Sequence, residues 1–527
     1  MKKKTRNTTE HTISRTQVHH GAAPLMAILE QSQSTSSPEA SNVVLAALRL
    51  VNTIVRDNQK LQEKLSMVGL IPVMCKYAGE KNRMPIRLEA AKFVRQLCSS
   101  SDFTLQMFIA CGGLSILAGF VPSKYDEKES RELAHVAIDG IHRAFALRRQ
   151  TFATEFSRQL IKEHFTARLA RLFVQILRQC LWRSTTKIRD EALVYAERSS
   201  YILWDITKCD RSVKEQVGTD DDFVAAFMQT LRLFLGDPAD GKKRTKVVMS
   251  NLLHAFLQLS REPNNLDHFA AHGAVEAMVQ LLAEVESREM YGILLQITFY
   301  LCRLSRPRTL AAAHAGLVPH LQHAVKNQRD ARQFAVPLLC DMGYIPGTRE
   351  ELWRHHVVEF YIELLHDSVW RHLALASMTA WAVDDIKRIE NVLLKAHNLE
   401  SLILFVREVK AQDLIDKDIL NPLVKLMGAS NRLSHALGCS GFFVMRILEL
   451  LKCREARVRK SLLMMLRYTF KAISNERQLS FMLKHNLFPI IKRMADREAQ
   501  KGIVIVARVA NKLQADFNLC IEAADLK

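Results

Sequence analysis

Two histidines, His268 and His272, have the residue type and spacing of side chains that bind a metal ion. Residues four apart lie on the same face of a helix, where paired zinc ligands are found. No carboxylate of the zinc-protease arrangement lies between them, however, and no third ligand is evident nearby. We therefore expect ordinary helix-surface or inter-repeat histidines, and the sequence predicts no metal site.

Residues 236–243, GDPADGKK, match most of the spacing of a phosphate-binding loop. Such a loop needs backbone N–H groups around the phosphate and a Ser or Thr hydroxyl on magnesium. Lys243 stands at the hydroxyl position, Pro238 removes one N–H donor, and residues 227–235 before the loop have a helical pattern. The segment is therefore expected to be a flexible loop, and no nucleotide cofactor is predicted.

The sequence lacks the motifs of covalent catalysis and of phosphoryl transfer. It has no GxSxG elbow, and no Gly-rich loop, HRD catalytic loop or DFG motif of protein kinases. Its 10 cysteines are scattered and never form a CxxC pair. We expect reduced, mostly buried thiols, as in a cytosolic or nuclear protein. The sequence predicts no catalytic residue and no enzyme activity.

The chain is strongly basic, with a net charge of +19 at pH 7. On charge alone, the partner could be an acidic or phosphorylated protein segment, a nucleic acid or an anionic membrane surface. Arginines suit the first of these because a guanidinium group can bind a carboxylate or a phosphate at two points. For each candidate, the alternative is a structural ion pair or a solvated surface charge. The candidate protein-binding arginines are Arg87, Arg95, Arg143, Arg148 and Arg149.

A recurring turn motif must set the positions of these residues. Gly or Asn supplies the left-handed residue that ends one helix, and Pro suits the first turn of the next helix. Each copy precedes an apolar helical stripe, and several intervals are close to the 40–47 residues of armadillo and HEAT arrays. The predicted fold is therefore all-α, an armadillo/HEAT-like right-handed α-solenoid. The copies are GLIP at 69–72 and GLVP at 316–319, with looser versions beginning at Gly21, Gly113, Gly273, Asn398 and Asn486.

The chain is predicted to consist of a tail and one array. Residues 1–40 are interpreted as a flexible N-terminal tail with a short helix, and residues 41–527 as a continuous armadillo-like solenoid. A solenoid needs no domain boundaries because each repeat contacts only its neighbours. Polar stretches predict loops near 122–131, 209–222 and 236–245.

Asn52 is a further candidate for protein binding. Importin-like armadillo proteins bind basic peptides through repeated Trp and Asn on the inner helix of each repeat, and Asn52 could occupy one such position. Leu48 stands where the tryptophan would be, and the five tryptophans do not recur at the repeat period. A strongly basic groove would also repel a basic peptide. The sequence therefore disfavours a basic peptide as the partner, and Asn52 is predicted only as a candidate protein-binding residue.

No segment of the sequence is typical of a membrane span or a secretory signal. No window approaches the roughly 18 consecutive apolar residues of a spanning helix. The basic residues 2–4 are not followed by an apolar segment. The sequence predicts a cytoplasmic location.

Several stretches of the sequence are more characteristic of one protein family than of armadillo arrays in general. Residues 50–55 read LVNTIV, residues 86–96 read IRLEAAKFVRQ, residues 104–114 read TLQMFIACGGL and residues 137–141 read AIDGI. This succession resembles the non-catalytic C-terminal armadillo region of the fungal septation-initiation and mitotic-exit network Ser/Thr kinases, to which a region of plant MAP kinase kinase kinase epsilon is related. The match is specific over residues 43–160 and architectural beyond them.

The resemblance implies a scaffold in a septation or cytokinesis pathway, downstream of a small GTPase, at the spindle pole body or the division site. It carries over no catalytic residue, cofactor or metal ligand, because none of the kinase motifs is present. Two alternatives stay open. The chain is the regulatory C-terminal part of an active Ser/Thr kinase whose catalytic domain lies outside it, or it is a basic solenoid that binds nucleic acid, which is the less favoured partner.

Overall fold

The structure is a computed structural model that describes residues 24–31, 38–147, 150–182, 186–235, 243–416 and 418–525. All regular secondary structure in these ranges is helical. The chain divides into two compact units, Met1–Leu301 and Cys302–Lys527, and each unit is described by itself.

The first unit begins with α1 (24–31). Sixteen further helices follow in chain order. They are α2 (Pro38–Val55), α3 (Gln59–Met67), α4 (Leu70–Lys76), α5 (Met84–Ser100), α6 (Asp102–Ala110), α7 (Gly113–Gly119), α8 (Lys128–Ala146), α9 (Gln150–Lys162), α10 (Phe165–Trp182), α11 (Thr186–Thr207), α12 (Arg211–Gly218), α13 (Asp221–Arg232), α14 (Lys243–Ser260), α15 (Leu266–Ala271), α16 (Ala274–Glu284) and α17 (Arg288–Cys302).

The second unit continues with helices of similar length. They are α18 (Arg306–His314), α19 (Leu317–Asn327), α20 (Arg332–Gly343), α21 (Arg349–Arg354), α22 (Val357–Leu364), α23 (Arg371–Ala382), α24 (Ile386–Leu393), α25 (Ala396–Glu408), α26 (Ala411–Asp416), α27 (Leu420–Ala429), α28 (Asn431–Cys439), α29 (Gly441–Leu450), α30 (Ala456–Ala472), α31 (Asn475–Lys484), α32 (Leu487–Gln500) and α33 (Val504–Asp525).

Most of these helices form triplets of a first, a second and a third helix. In the first unit the third helices stack in chain order, since α2 contacts α5, α5 contacts α8, α8 contacts α11 and α11 contacts α14. In the second unit α20, α23, α27, α30 and α33 form an equivalent row. The predicted all-α, armadillo/HEAT-like arrangement is therefore confirmed. The continuity of one array from residue 41 to residue 527 stays a prediction.

The turn before the second helix has a left-handed backbone where the motif predicted it at 69, 273, 316 and 486. At the copy predicted from Gly113 the left-handed residue is Gly112, because Gly113 already belongs to α7. The prediction is wrong at Asn398, which lies inside α25 and donates its side-chain amide to the Val392 carbonyl at 2.9 Å. The copy at Gly21 lies outside the described residues. The positive φ values are 96° at Gly69, 83° at Gly112, 72° at Gly273, 95° at Gly316 and 48° at Asn486.

The segments predicted as loops differ in part from the structure. Residues 209–222 include α12, whose N terminus is capped by the Asp210 carboxylate accepting the Val213 N–H at 3.0 Å. The buried Val213 and Val217 then fix this short helix against its neighbours, which polar composition alone did not indicate. The polar break at 122–131 ends at Lys128, where α8 begins. Most of the predicted loop at 236–245, and most of the predicted tail, lie outside the described residues.

Membrane-spanning potential is weak in the part of the chain that the structure describes. No single helix there is long and apolar enough to cross a membrane. Two bent pairs, α6 with α7 and α28 with α29, would pass jointly on length and composition, with bends of 86° and 91°.

Candidate partner-binding surface

The third helices of the first unit carry the predicted binding residues that the structure describes. Asn52 lies on α2, Arg87 and Arg95 lie on α5, and Arg143 lies on α8. The other two candidates, Arg148 and Arg149, lie outside the described residues. Since α2, α5 and α8 contact one another in order, the four described residues are on neighbouring helices, but their environments differ.

Asn52 is a buried link between α2 and α5. Its side chain is 3% exposed, and its amide nitrogen donates to the Glu89 backbone carbonyl at 2.8 Å and to the Glu89 carboxylate at 3.1 Å. Gln96 donates in turn to the backbone and side-chain oxygens of Asn52, both at 3.4 Å. Because a buried amide without partners costs about 1–3 kcal/mol, these bonds tie the two helices together. A contact of Asn52 with a partner stays a prediction.

Arg87 is anchored near the start of α5. Its Nε donates to the Ala78 carbonyl at 3.3 Å, and its Nη2 donates to the Gly119 carbonyl at 3.2 Å. Eight residues, or about 12 Å along a helix, separate it from Arg95. The structure therefore does not bring these two arginines into one site.

Arg95 is exposed near a buried histidine of the next third helix. Burial lowers the pKa of His135 to about 3, and the positive charges of Arg95, Arg131 and Arg198 act in the same direction. His135 is therefore neutral at pH 7. Arg143, on the same helix as His135, is half-buried and lies close enough to lower the pKa of the Cys98 thiol against the larger effect of burial.

The His135 ring is held between two tyrosines. Its Nε2 lies 2.8 Å from the Tyr125 hydroxyl. On its other side the ring stacks on Tyr195 of α11, with centroids 3.6 Å apart and planes 8° apart. The Tyr195 hydroxyl donates to the Asp139 carboxylate at 3.4 Å, and Arg198 forms an ion pair with the same carboxylate. These contacts fix the facing sides of α8 and α11.

Aromatic side chains continue this surface along α11. Tyr201 lies 5.0 Å from the His142 ring of α8, and Trp204 stacks on His254 of α14 with centroids 5.2 Å apart. The Lys208 ammonium lies 3.6 Å from the Trp204 ring centre, within the range of a cation–π interaction. Burial lowers the pKa of both His142 and His254. The positive charge of this surface at pH 7 is therefore carried by arginine and lysine, not by histidine.

We call this set of side chains the third-helix row. Half-buried rings offer apolar contact area with little conformational freedom to lose. The guanidinium and ammonium groups beside them can donate charge-assisted hydrogen bonds. A row that crosses successive helices therefore suits an extended polypeptide. Its members are Arg95 of α5, His142 of α8, Arg198, Tyr201 and Trp204 of α11, Lys208 directly after α11, and His254 of α14, together with the buried His135 of α8.

Most of the third-helix row was missed at the level of sequence. The apolar spacing of the sequence predicted no helix over residues 186–207, so α11 was not recognised. The signal that could have found it is the spacing of Tyr195, Arg198, Tyr201 and Trp204, which recur every three residues. Residues three and four apart are neighbours on one helix face.

The candidate metal ligands have other contacts. His268 Nδ1 lies 2.9 Å from the Asp221 carboxylate, and His272 Nδ1 lies 2.9 Å from the His268 backbone oxygen. Within the described ranges, no group of three or more His, Cys, Asp or Glu side chains is placed to hold a metal ion. The segment that resembles a phosphate loop, 236–243, lies outside the described residues except for its last position.

All ten cysteines are free thiols. Four are buried, four are intermediate and two, Cys111 and Cys439, are exposed, so burial is less general than predicted. Burial raises the pKa of Cys98 and of Cys180 to about 12. Because the thiolate is the reactive form, these two thiols are chemically inert in the folded chain.

Several curated proteins are related to this chain. Cytokinesis protein sepH of Aspergillus niger is 29% identical over 504 residues, which are 94% of this chain and 35% of that protein. Cell division control protein 7 of Schizosaccharomyces pombe is 24% identical over 424 residues, 80% of this chain and 37% of that protein. MAP3K epsilon protein kinase 1 of Arabidopsis thaliana is 44% identical over 152 residues, 28% of this chain and 10% of that protein. These proteins are homologues of the chain, which confirms the resemblance inferred from the sequence.

The sepH alignments cover most of this chain but a smaller part of each relative. The chain spans only 35% of the length of the sepH proteins that it matches. The homology also extends beyond residues 43–160, which carried the resemblance, because 504 residues align. No protein-family model matches the sequence. Among solved structures, a designed armadillo repeat protein matches 50% of this chain and 96% of its own at 15% identity, with a TM-score of 0.32.

Proposed function

We propose that this chain is a non-catalytic scaffold of a septation or cytokinesis pathway, and that its third-helix row binds an acidic or phosphorylated segment of a protein partner. The observation that supports this best is the placement of Arg95, Arg198 and Lys208 beside aromatic rings of stacked third helices. Rings supply contact area and the cations select for acidic residues, so the row has both parts of a peptide-binding surface.

The charge of the row favours an acidic segment. Its histidines are neutral at pH 7 because burial lowers their pKa values. Of its three cations, Arg198 pairs with Asp139 and Lys208 lies 2.6 Å from the Asp205 carboxylate, whereas Arg95 forms no ion pair among the described residues. An acidic segment would therefore bind Arg95 and the remaining N–H donors of the other two. The net charge of +19 over the whole chain would also accelerate encounter with an acidic partner at low ionic strength.

The pathway is taken from the homologues. One of them is named a cytokinesis protein and another a cell division control protein. A role downstream of a small GTPase, with a cytoplasmic location at the spindle pole body or the division site, is part of the same proposal.

A second candidate function is that of a regulatory C-terminal part of an active Ser/Thr kinase. It is favoured by the alignment with a protein that is named a kinase, over 10% of that protein's length. The coding sequence upstream of Met1 separates the two candidates, because only the second requires a kinase reading frame there.

Affinity capture from dividing cells tests the scaffold function. The tagged full chain and an Arg95→Glu/Lys208→Glu variant would be used in parallel, and the bound proteins would be identified by mass spectrometry. We expect septation-pathway proteins on the native chain and at least a tenfold lower recovery on the variant, because two cations beside the aromatic rings have become anions.

A Lys60→Glu/Lys162→Glu variant is the matched control. These two lysines are exposed, lie on first helices and pair with no carboxylate among the described residues, and their reversal changes the net charge by the same amount. Recovery equal to that of the native chain is expected. If recovery of the captured proteins fell equally in both variants, or if those proteins were unrelated to cell division, the result would contradict the proposal.

A further inference from the structure

A second basic surface lies outside the third-helix row. It is a cleft of about 770 Å³ between the start of α5, the connection from α7 to α8, and α10. None of the row's side chains lines it. Five cations against two carboxylates leave an excess of three positive charges in the described lining. The cations are Arg87, Lys124, Arg168, Arg171 and Arg178, and the carboxylates are Glu80 and Glu127.

Two of these arginines are fixed in place by the backbone. Arg87 donates to the Ala78 and Gly119 carbonyls. Arg168 donates to the Val121 carbonyl at 2.5 Å and lies 3.5 Å from the Glu80 carboxylate. Since a guanidinium group has five N–H donors, each arginine keeps donors beyond those used for anchoring.

The two anchored guanidinium groups line the same cleft, and Glu80 lies against Arg168. Burial lowers the pKa of Arg87, Glu80 opposes this shift, and the positive charge of Arg168 adds to it. Like charges repel one another, and the backbone carbonyls hold both groups in the lining of this cleft. A bound dianion would relieve this repulsion at both groups, so the cleft is preorganised for negative charge.

The remaining cations are available to an incoming anion. Lys124 and Arg178 are exposed and form no ion pair with any carboxylate of the described residues. Arg171 lies 3.6 Å from Asp222, but these side chains are 56% and 72% exposed, so that pair is weak and easily exchanged.

The shape of the cleft favours a peptide over a nucleic acid. Phe120, the aromatic residue of its described lining, is 1% exposed, so the cleft presents no ring on which a base could stack. Its floor is formed by buried apolar side chains such as Leu133 and Val174. A phosphorylated side chain could reach the arginines while its flanking residues cover this floor.

We propose that this cleft binds the phosphoryl group of a phosphoserine or phosphothreonine in an extended segment of a partner protein. The proposal deepens the scaffold function, because it rests on the partner being a protein, and it assigns the phosphate to a site separate from the third-helix row. A phosphoryl group carries about 1.5 to 2 negative charges and three acceptor oxygens. Two anchored guanidinium groups can bind it in the two-point geometry that phosphate and arginine share.

Binding of synthetic peptides to the full chain tests the site. The probe is a fluorescein-labelled peptide library with phosphoserine fixed at its centre and degenerate flanks, and binding is followed by fluorescence anisotropy. We expect at least a tenfold tighter Kd than for the same library with serine at the centre. The Lys124→Glu/Arg178→Glu variant should lose that difference, because it adds two anions to the cleft without removing any described hydrogen bond.

The control is again Lys60→Glu/Lys162→Glu, which should keep the preference for phosphoserine. Equal affinity for the two libraries would overturn the proposal, as would equal loss in the control. A single-stranded oligonucleotide that bound through Lys124 and Arg178 more tightly than the phosphopeptides would also overturn it. If septation proteins are captured while phosphoserine shows no advantage, only the cleft proposal fails. If phosphoserine is preferred while no such protein is captured, only the scaffold function fails.

Discussion

The residue before a second helix sets the direction of that helix through its own backbone. Gly69 and Gly316 have φ values of 96° and 95° at this position. A Cβ added at either would meet no heavy atom within 4 Å, so a substitution there is opposed by conformation and not by crowding. His356 and Asn486 occupy the same position with φ values of 52° and 48°, close to the left-handed region that His and Asn enter more readily than other residues do.

Alanine at these glycines should therefore destabilise the fold. We expect Gly69→Ala and Gly316→Ala each to lower the free energy of unfolding by about 1–2 kcal/mol, the cost of left-handed backbone for a residue with a Cβ. Gly292→Ala is the control, since Gly292 lies inside α17, has no positive φ and would also meet no atom within 4 Å. It should stabilise by about 0.5–1 kcal/mol. Urea denaturation measures the free energy of unfolding of all three variants. If Gly292→Ala were as destabilising as Gly69→Ala, the effect at Gly69 could not be ascribed to its left-handed backbone.

The buried His135 should make the first unit sensitive to acid. Its folded pKa of about 3 lies below the value of about 6.5 in an unfolded chain. The unfolded state therefore binds more protons than the folded state between these values, and stability falls as the pH drops from 6.5. The expected slope is about 1.4 kcal/mol per pH unit.

A His135→Gln variant isolates this contribution. Glutamine keeps a polar partner near the Tyr125 hydroxyl but does not titrate. Between pH 7 and pH 5 the native chain should lose about 2 kcal/mol more than the variant. Hydrogen exchange of α8 and α11 amides, corrected for intrinsic rates, measures the difference. Equal losses would mean that His135 is protonated in the folded chain. The pKa of His142 is also lowered, so His142 contributes a further loss of stability on acidification, equally in both proteins.

At the scale of helices, one buried ion pair joins α30 to α32 in the second unit. Arg459 and Glu498 are 4% and 0% exposed, and Arg459 Nη2 lies 2.6 Å from Glu498 Oε2. Arg459 also donates to the Cys453 and Arg454 carbonyls, at 2.9 and 2.6 Å. Burial raises the pKa of Glu498, but hydrogen bonds from Arg459 and Arg497 outweigh it and leave the pKa below its usual value. Glu498 is therefore ionised at pH 7.

Removing one residue of this ion pair should lower the free energy of unfolding more than removing both. Glu498→Met leaves a buried guanidinium without its counter-ion, which costs about 3–5 kcal/mol. The double variant Arg459→Met/Glu498→Met removes both charges and fills a similar volume, so it should recover most of that loss. Thermal unfolding of the native chain, Glu498→Met and the double variant gives the order of their stabilities. A double variant less stable than Glu498→Met would show that the pair stabilises the fold beyond mutual neutralisation.

At the scale of the whole molecule, local signals predicted the architecture well and the candidate site poorly. The Gly and Asn turns predicted where several second helices begin, because a left-handed backbone is favoured by these two residue types. His164 and His356, each with φ of 52°, gave no such signal since histidine is common elsewhere. The third-helix row depends on packing between α8, α11 and α14, and Asn52 is buried by a contact with a helix 37 residues away. Such long-range contacts are not visible in local spacing.

Stacked helices that contact mainly their neighbours should also confine the effect of a mutation. Stability in such an array is close to a sum of repeat terms and nearest-neighbour terms. Because α30 contacts α27, α28, α29 and α33, Glu498→Met should lower hydrogen-exchange protection in those helices and in α32. Protection of α5, α8 and α11 in the first unit should be unchanged. Gly69→Ala is the reciprocal control and should affect α2 to α6 but not α30, since α3 contacts α2, α4, α5 and α6. Equal loss of protection in α8 and α30 from either variant would mean that the chain unfolds as a single cooperative body, and the nearest-neighbour description would then be wrong.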